Sequence, residues 1–260
     1  LYHQKQQNMM SKIALVTGGS RGLGKNMALA LAKAGKDVVL TYRTQKAEAE
    51  AVVKDIENLG QRAAALPLDV SVPASFDEFI RQMKATLSDF FGADMIDFII
   101  NNAGVGVHAG YADTTEEQFD ALMNIHLKAP FFLTQKVLPI LNDGGGIVNV
   151  STGLARFTLP GYDAYAMMKG GIETLTRYQA KTLGSRGIRA NVIAPGAIAT
   201  DFGGGAVRDN AEINGFIASQ TALGRVGQAD DIGGVVAFLC SEEARWVNAQ
   251  RLEASGGMFL

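Results

Sequence analysis

Cysteine is nearly missing from this chain. Cys240 is the only one in 260 residues. No intrachain disulfide can form, and a reducing, cytoplasmic location is expected. Three scattered histidines and one cysteine make no zinc-type cluster, so no metal is expected. No apolar run is long enough to span a bilayer, which argues against a membrane partner. Net charge is −2, with acids and bases mixed along the chain. With neither a basic block nor an acidic tail, no nucleic-acid partner is expected. There is no linker, repeat or low-complexity stretch either. Residues 1–11, polar and rich in glutamine, are expected to be a tail ahead of one domain over 12–260.

What the chain does carry is apolar sequence, 47% of its residues, enough for a sizeable core. Short apolar runs read as strands at Ile13–Thr17, Asp37–Tyr42, Arg62–Leu66, Ile96–Ile100, Gly146–Val150, Arg189–Ile193 and Arg251–Ala254. Helix-length amphipathic patterns lie between them, near 22–34, 44–59, 73–90, 115–141, 163–184 and 229–240. Alternation of this kind predicts a mostly parallel sheet covered on both faces. Thr44 is a candidate helix N-cap, and Gly35 and Gly60 stand where helix ends favour a left-handed residue. Ala197–Thr221 reads as an irregular segment with a triple glycine at 203–205, a candidate substrate lid.

Two local patterns point to chemistry. Tyr165 and Lys169 lie four apart and share a face of their predicted helix. An ammonium beside a phenol stabilises the phenolate, so the spacing predicts a tyrosine tuned downward as a general acid/base. At the other end, the first strand runs into Thr17-Gly18-Gly19-Ser20-Arg21-Gly22-Leu23-Gly24. Glycines at 18, 22 and 24 allow a tight turn and close approach to a pyrophosphate at a helix N-terminus.

These motifs resemble those of the short-chain dehydrogenases/reductases. The family's Thr-Gly-x-x-x-Gly-x-Gly matches Thr17, Gly18, Gly22 and Gly24, and its Asn-Asn-Ala-Gly matches Asn101 to Gly104. Its Tyr-x-x-x-Lys matches Tyr165 and Lys169, and its Pro-Gly with a following threonine matches Pro195, Gly196 and Thr200. The likeness runs from about Lys12 to Gly257, nearest to the 3-oxoacyl-acyl-carrier-protein reductase-like branch. It implies a Rossmann-type, doubly wound α/β fold whose seven-stranded parallel sheet has the order 3-2-1-4-5-6-7. It also implies a homotetramer or homodimer that interconverts a small-molecule ketone or aldehyde and an alcohol. The nucleotide would lie on Gly18, Ser20, Arg21, Gly22, Leu23, Gly24, Arg43, Asp69, Asn102, Ala103, Gly104, Tyr165, Lys169, Pro195, Gly196, Ile198 and Thr200. The second strand ends Thr41-Tyr42-Arg43-Thr44 without an acid, and Arg43 and Arg21 can both meet a 2′-phosphate, so NADP(H) is expected over NAD(H). Asp69 is either an adenine contact or a strand-end cap.

The resemblance also implies a catalytic tetrad. Asn124 would hold a water, Lys169 would bind the ribose and tune the tyrosine, and Tyr165 would pass a proton. The hydroxyl is either Thr152 or Ser151; Thr152, 13 residues before Tyr165, has the better register. His108, Arg156 and Phe157 are candidates for the pocket mouth, against ordinary packing or solvation. Two other readings are carried: a nucleotide-binding sensor or scaffold that has lost turnover, and a lyase or epimerase on the same fold.

Overall fold

A computed structural model describes residues 11–260, so most of the expected tail lies outside the described residues. Seven strands form one parallel sheet in the order β3-β2-β1-β4-β5-β6-β7. They are β1 (Ile13–Val16), β2 (Asp37–Tyr42), β3 (Ala63–Pro67), β4 (Ile96–Asn101), β5 (Leu141–Val150), β6 (Arg189–Pro195) and β7 (Arg251–Ala254). The central strands read as unbroken apolar runs because helices cover both faces: every residue of β1 is buried. Pro67 is tolerated because β3 is an edge strand and needs one fewer N–H donor.

On one face α1 (Gly22–Lys33) and α2 (Lys46–Asn58) pack over Val16, Val38, Leu40 and Ile100. On the other, α3 (Phe76–Thr86) supplies Phe76, Phe79 and Met83 to a second core with Leu15, Ile99 and Ile147. α4 (Glu116–Met123), α5 (Ala129–Val137) and α6 (Asp163–Leu183) follow on that side. α7 (Ala206–Asp209), α8 (Ala211–Ser219) and α9 (Asp230–Leu239) complete the chain, with α9 packing back on the first core through Ile232 and Val236. Strand order reverses between β1 and β4, which opens a crevice beyond their carboxyl ends. The glycine-rich, Asn-Asn-Ala-Gly and Pro-Gly motifs lie at or just beyond the carboxyl ends of β1, β4 and β6, and Tyr165 and Lys169 lie in the first turns of α6.

Four local expectations need correction. The second helix begins at Lys46 after Gln45, and no side chain caps it, so Thr44 is not its N-cap. The pattern over 115–141 is not one helix: α4 gives way to a wide π-type turn at Asn124–Lys128 before α5. Pro130 supplies the reason. It has no N–H for a regular helix, and its ring would strike the carbonyl four residues back, that of His126. β5 starts at Leu141, five residues earlier than its apolar run suggests. Ala197–Thr221 is largely ordered as helical turns, including α7 and α8, and Gly203, Gly204 and Gly205 ahead of them all take left-handed φ between 62° and 80°, which glycine adopts without strain. Gly35 and Gly60 do carry positive φ just beyond α1 and α2.

Candidate active site

The glycine-rich turn joins β1 to α1. Gly18 and Gly22 have φ of +65° and +55°, a region side chains rarely enter. Gly24 is needed for contact: a Cβ there would overlap the Gly18 carbonyl and sit 2.6 Å from Asn102 Nδ2. Asn102 braces the turn by donating to the carbonyls of Thr17 (2.9 Å) and Gly18 (3.2 Å). Thr17 Oγ1 in return accepts from the amides of Asn102 and Ala103, both at 3.0 Å. α1 has no side-chain cap and no acid in its first turn, which leaves its amides and dipole for an anion. Thr200 reaches the same place from beyond β6; a Cβ on Gly22 would lie 3.8 Å from its own Cβ. This cradle suits a dinucleotide pyrophosphate.

The residues expected at the adenosine end are less uniform. Arg43 stands exposed just past β2 and makes no ion pair among the described residues. Arg21 faces Asp201, 3.8 Å away, and Asp201 also holds Arg208. Arg21 is therefore partly compensated, while Arg43 is a free cation. Asp69 Oδ1 accepts from the amide and hydroxyl of Ser71, at 2.9 and 2.6 Å, the turn-forming half of its two readings.

At the catalytic end, Tyr165 and Lys169 lie in the first turns of α6, and both are buried. Lys169 Nζ lies 5.7 Å from the centre of the Tyr165 ring and donates to the Val150 carbonyl at 2.7 Å. Burial pushes the phenol above its ordinary value, against the pull of the Thr152 hydroxyl, which lowers it. Burial likewise lowers the Lys169 ammonium to about 7. The downward tuning of the phenol expected from spacing is thus reversed, because spacing carries no information on desolvation.

The two candidate hydroxyls part company. Ser151 is buried, and its Oγ donates to Glu173 Oε1 at 2.8 Å. Glu173 is in turn held by Arg251 at 2.7 Å, so Ser151 belongs to a structural ion-pair chain. Thr152 opens the following turn, accepts from the Leu154 amide at 3.3 Å, and faces the Tyr165 phenol. Arg156 is drawn away from the crevice. It pairs with Glu253 and donates to the carbonyls of Met258 and Phe259. Phe157 stacks on Phe259, with ring centres 4.8 Å apart.

The crevice wall is aromatic. Phe202, ahead of the triple glycine, packs on Tyr165 with ring centres 5.8 Å apart. His108 lies edge-on to Tyr162 at 5.0 Å and fills the space beside Gly161. Asn124 opens the π-type turn, but the ring that this turn lays against Tyr165 is that of His126, at 5.2 Å. Sequence reading missed His126; Pro130, four residues later, is the signal that the helix must widen there. It also missed the buried amide chain from Asn101 to Asn149 (2.8 Å) and on to Thr176 and Gln179, which ties β4 and β5 to α6.

Comparison with known proteins agrees with this geometry. The family profile described as Enoyl-(Acyl carrier protein) reductase matches residues 18–259. The chain is 36% identical over 253 residues to 3-oxoacyl-[acyl-carrier-protein] reductase FabG of Staphylococcus aureus, covering 96% of this chain and 99% of that one. Among solved structures, the promiscuous reductase LugOII, which catalyses keto-reduction at C1 in lugdunomycin biosynthesis, superposes with TM-score 0.91 at 38% identity, covering 97% of this chain and 100% of that one. The angucycline C-6 ketoreductase LanV with bound NADP gives TM-score 0.91 at 37% identity, covering 96% of each chain. The chain belongs to the short-chain dehydrogenase/reductase family. It is accordingly an oxidoreductase acting between a carbonyl and an alcohol.

Proposed function

We propose that this protein is an NADPH-dependent ketoreductase in which Tyr165 delivers the proton. The observation that carries the reading is the buried Tyr165 phenol, flanked by the Thr152 hydroxyl and Lys169 at the switch-point crevice. A bound nicotinamide supplies the hydride. Tyr165 donates its proton to the carbonyl oxygen, and Thr152 hydrogen-bonds the same oxygen as charge develops there. Because burial raises the phenol's pKa, Tyr165 rests protonated at neutral pH, the form that reduction requires. Lys169 orients the ribose and supplies positive charge beside the phenolate left after transfer.

NADPH is favoured over NADH by the unpaired Arg43 at the end of β2 and by NADP in related structures. The aromatic wall of Phe202, Tyr162 and His108 suits a flat, apolar ketone, and LanV has been solved with NADP and rabelomycin. With reductases as its relatives, the chain is not favoured as a sensor, lyase or epimerase. We further place it in the cytoplasm as a homotetramer or homodimer; no described helix is long and apolar enough to cross a membrane.

The test is a kcat/KM comparison with NADPH and NADH over a panel that includes β-ketoacyl thioesters and polycyclic aromatic ketones. Ketone reduction with NADPH preferred supports the reading, and the better substrate class defines the branch. Preference for NADH, or no reduction of any panel member, overturns it.

A further inference from the structure

Ser151 and Thr152 stand where the chain leaves the end of β5. The Ser151 amide still donates to the Ile193 carbonyl of β6, at 2.8 Å. The Thr152 carbonyl has two donors: the Ala155 amide of its own turn, at 3.3 Å, and Arg251 Nη2, at 3.2 Å, from 99 residues further along in β7.

Arg251 has two more arms. Its Nε donates to Glu173 Oε1 at 2.7 Å, and its Nη1 to Glu253 Oε2 at 2.8 Å. Glu173 lies on α6 four residues beyond Lys169 and eight beyond Tyr165, so the three share a face of that helix. Glu253 also accepts from Arg156, which closes the turn that Thr152 opens, at 2.6 and 2.8 Å. One guanidinium thus joins the Thr152 backbone, the helix of the proposed proton donor and strand β7. The side chains of Arg251, Glu173 and Glu253 are 25%, 16% and 17% exposed, too enclosed for an ordinary surface ion pair. Arginine's planar fork holds several acceptors in fixed directions, which a point cation does not.

We propose that Arg251 is a positioning residue that sets the Thr152 hydroxyl against the Tyr165 phenol. It grips the turn through the Thr152 carbonyl and the helix through Glu173, so the two hydroxyls keep their separation. Threonine is stiff about χ1, and fixing its backbone aims its Oγ1. This role rests on the proposed reading of Thr152 and Tyr165 as partners on the carbonyl oxygen, and goes beyond it by placing control of their geometry in β7. A network kept only for stability would lower the melting temperature and leave each folded molecule at full rate.

The test is a double-mutant cycle on kcat for ketone reduction. Arg251→Met removes all three arms. Arg251→Lys keeps a cation for the two carboxylates but cannot span three acceptors at once. Each should lower kcat about tenfold to hundredfold, the scale of a slight misplacement of reacting groups, with NADPH affinity unchanged. In the Thr152→Val background the same substitutions should change kcat by no more than about twofold, the scatter of uncoupled changes, because the group they aim is already gone. Equal losses in the two backgrounds overturn the proposal, as does wild-type kcat in either arginine variant. Failure of both variants to fold also overturns it, since the network would then serve the fold alone. Thr152→Val at the wild-type rate, or no ketone reduction by the wild-type protein, refutes the proposed function and this role with it. Equal losses in the two backgrounds refute the role of Arg251 alone.

Discussion

Replacing Thr152 with valine and Ser151 with alanine should give opposite outcomes. Valine keeps the shape of threonine and removes the hydroxyl that faces Tyr165. Losing one hydrogen bond to developing oxyanion charge costs roughly 2.7–4 kcal/mol, a fall in kcat of about 10²–10³. Its other contact, accepting from the Leu154 amide at 3.3 Å, is a long local bond whose loss barely affects stability. Ser151 is different. Its hydroxyl lies 2.8 Å from Glu173, and alanine leaves that carboxylate to Arg251 alone. A hydrogen bond to a charged group contributes about 1.5–3 kcal/mol. For a chain of this size each kcal/mol moves Tm by about 2–4 °C. Ser151→Ala should therefore melt several degrees lower while keeping most of its kcat/KM. The assay is kcat/KM for ketone reduction beside NADPH affinity and Tm for both variants. If Ser151→Ala loses the rate with Tm and cofactor binding intact, while Thr152→Val stays active, the catalytic hydroxyl is Ser151 and the geometric argument is wrong.

Arg43→Ala should weaken NADPH binding by about 1.5–3 kcal/mol, the scale of hydrogen bonds to charged groups, and leave NADH binding unchanged; titration with both nucleotides checks it. Arg21→Ala should weaken it less, since Asp201 already engages Arg21. Gly24→Ala forces a methyl into the Gly18 carbonyl and Asn102, so nucleotide affinity should collapse in a titration even where circular dichroism reports a folded sheet. The hydrogen bond from Arg156, with help from Arg251 and Ser255, holds the Glu253 carboxyl down at about 2 from an ordinary 4.5. A depressed carboxylate stabilises the fold above its unfolded pKa and gives that stability up as pH falls from 4.5 toward 2. Glu253→Gln should accordingly flatten the acid limb of Tm against pH; an unchanged acid limb would exclude this ion pair as its source.

Much of the fold could be read from the chain because parallel strands buried on both faces write themselves as apolar runs, and four glycine- or tyrosine-centred motifs fall in order between them. The legible parts of the site were those fixed by backbone need, such as Gly18 and Gly22 at positive φ. What stayed hidden depended on packing. Spacing put Lys169 beside Tyr165, but only the fold shows that both are desolvated, which reverses the expected shift of the phenol. Arg156 follows the hydroxyl pair in sequence, yet its partners Glu253 and Met258 come from about a hundred residues downstream. The triple glycine at 203–205 resembled a loose loop because glycine permits disorder as readily as the run of left-handed residues it makes here. The break at Asn124–Lys128 was legible in principle, since Pro130 stands four residues after His126.

The central claim is that Tyr165 is the proton donor. It is tested most directly by Tyr165→Phe, assayed for NADPH-dependent reduction of the best panel ketone alongside a fluorescence titration of NADPH. Removing a positioned general acid should lower kcat by about 10²–10⁴, with NADPH affinity and melting temperature close to wild type. Near-normal turnover by the phenylalanine variant would contradict the account.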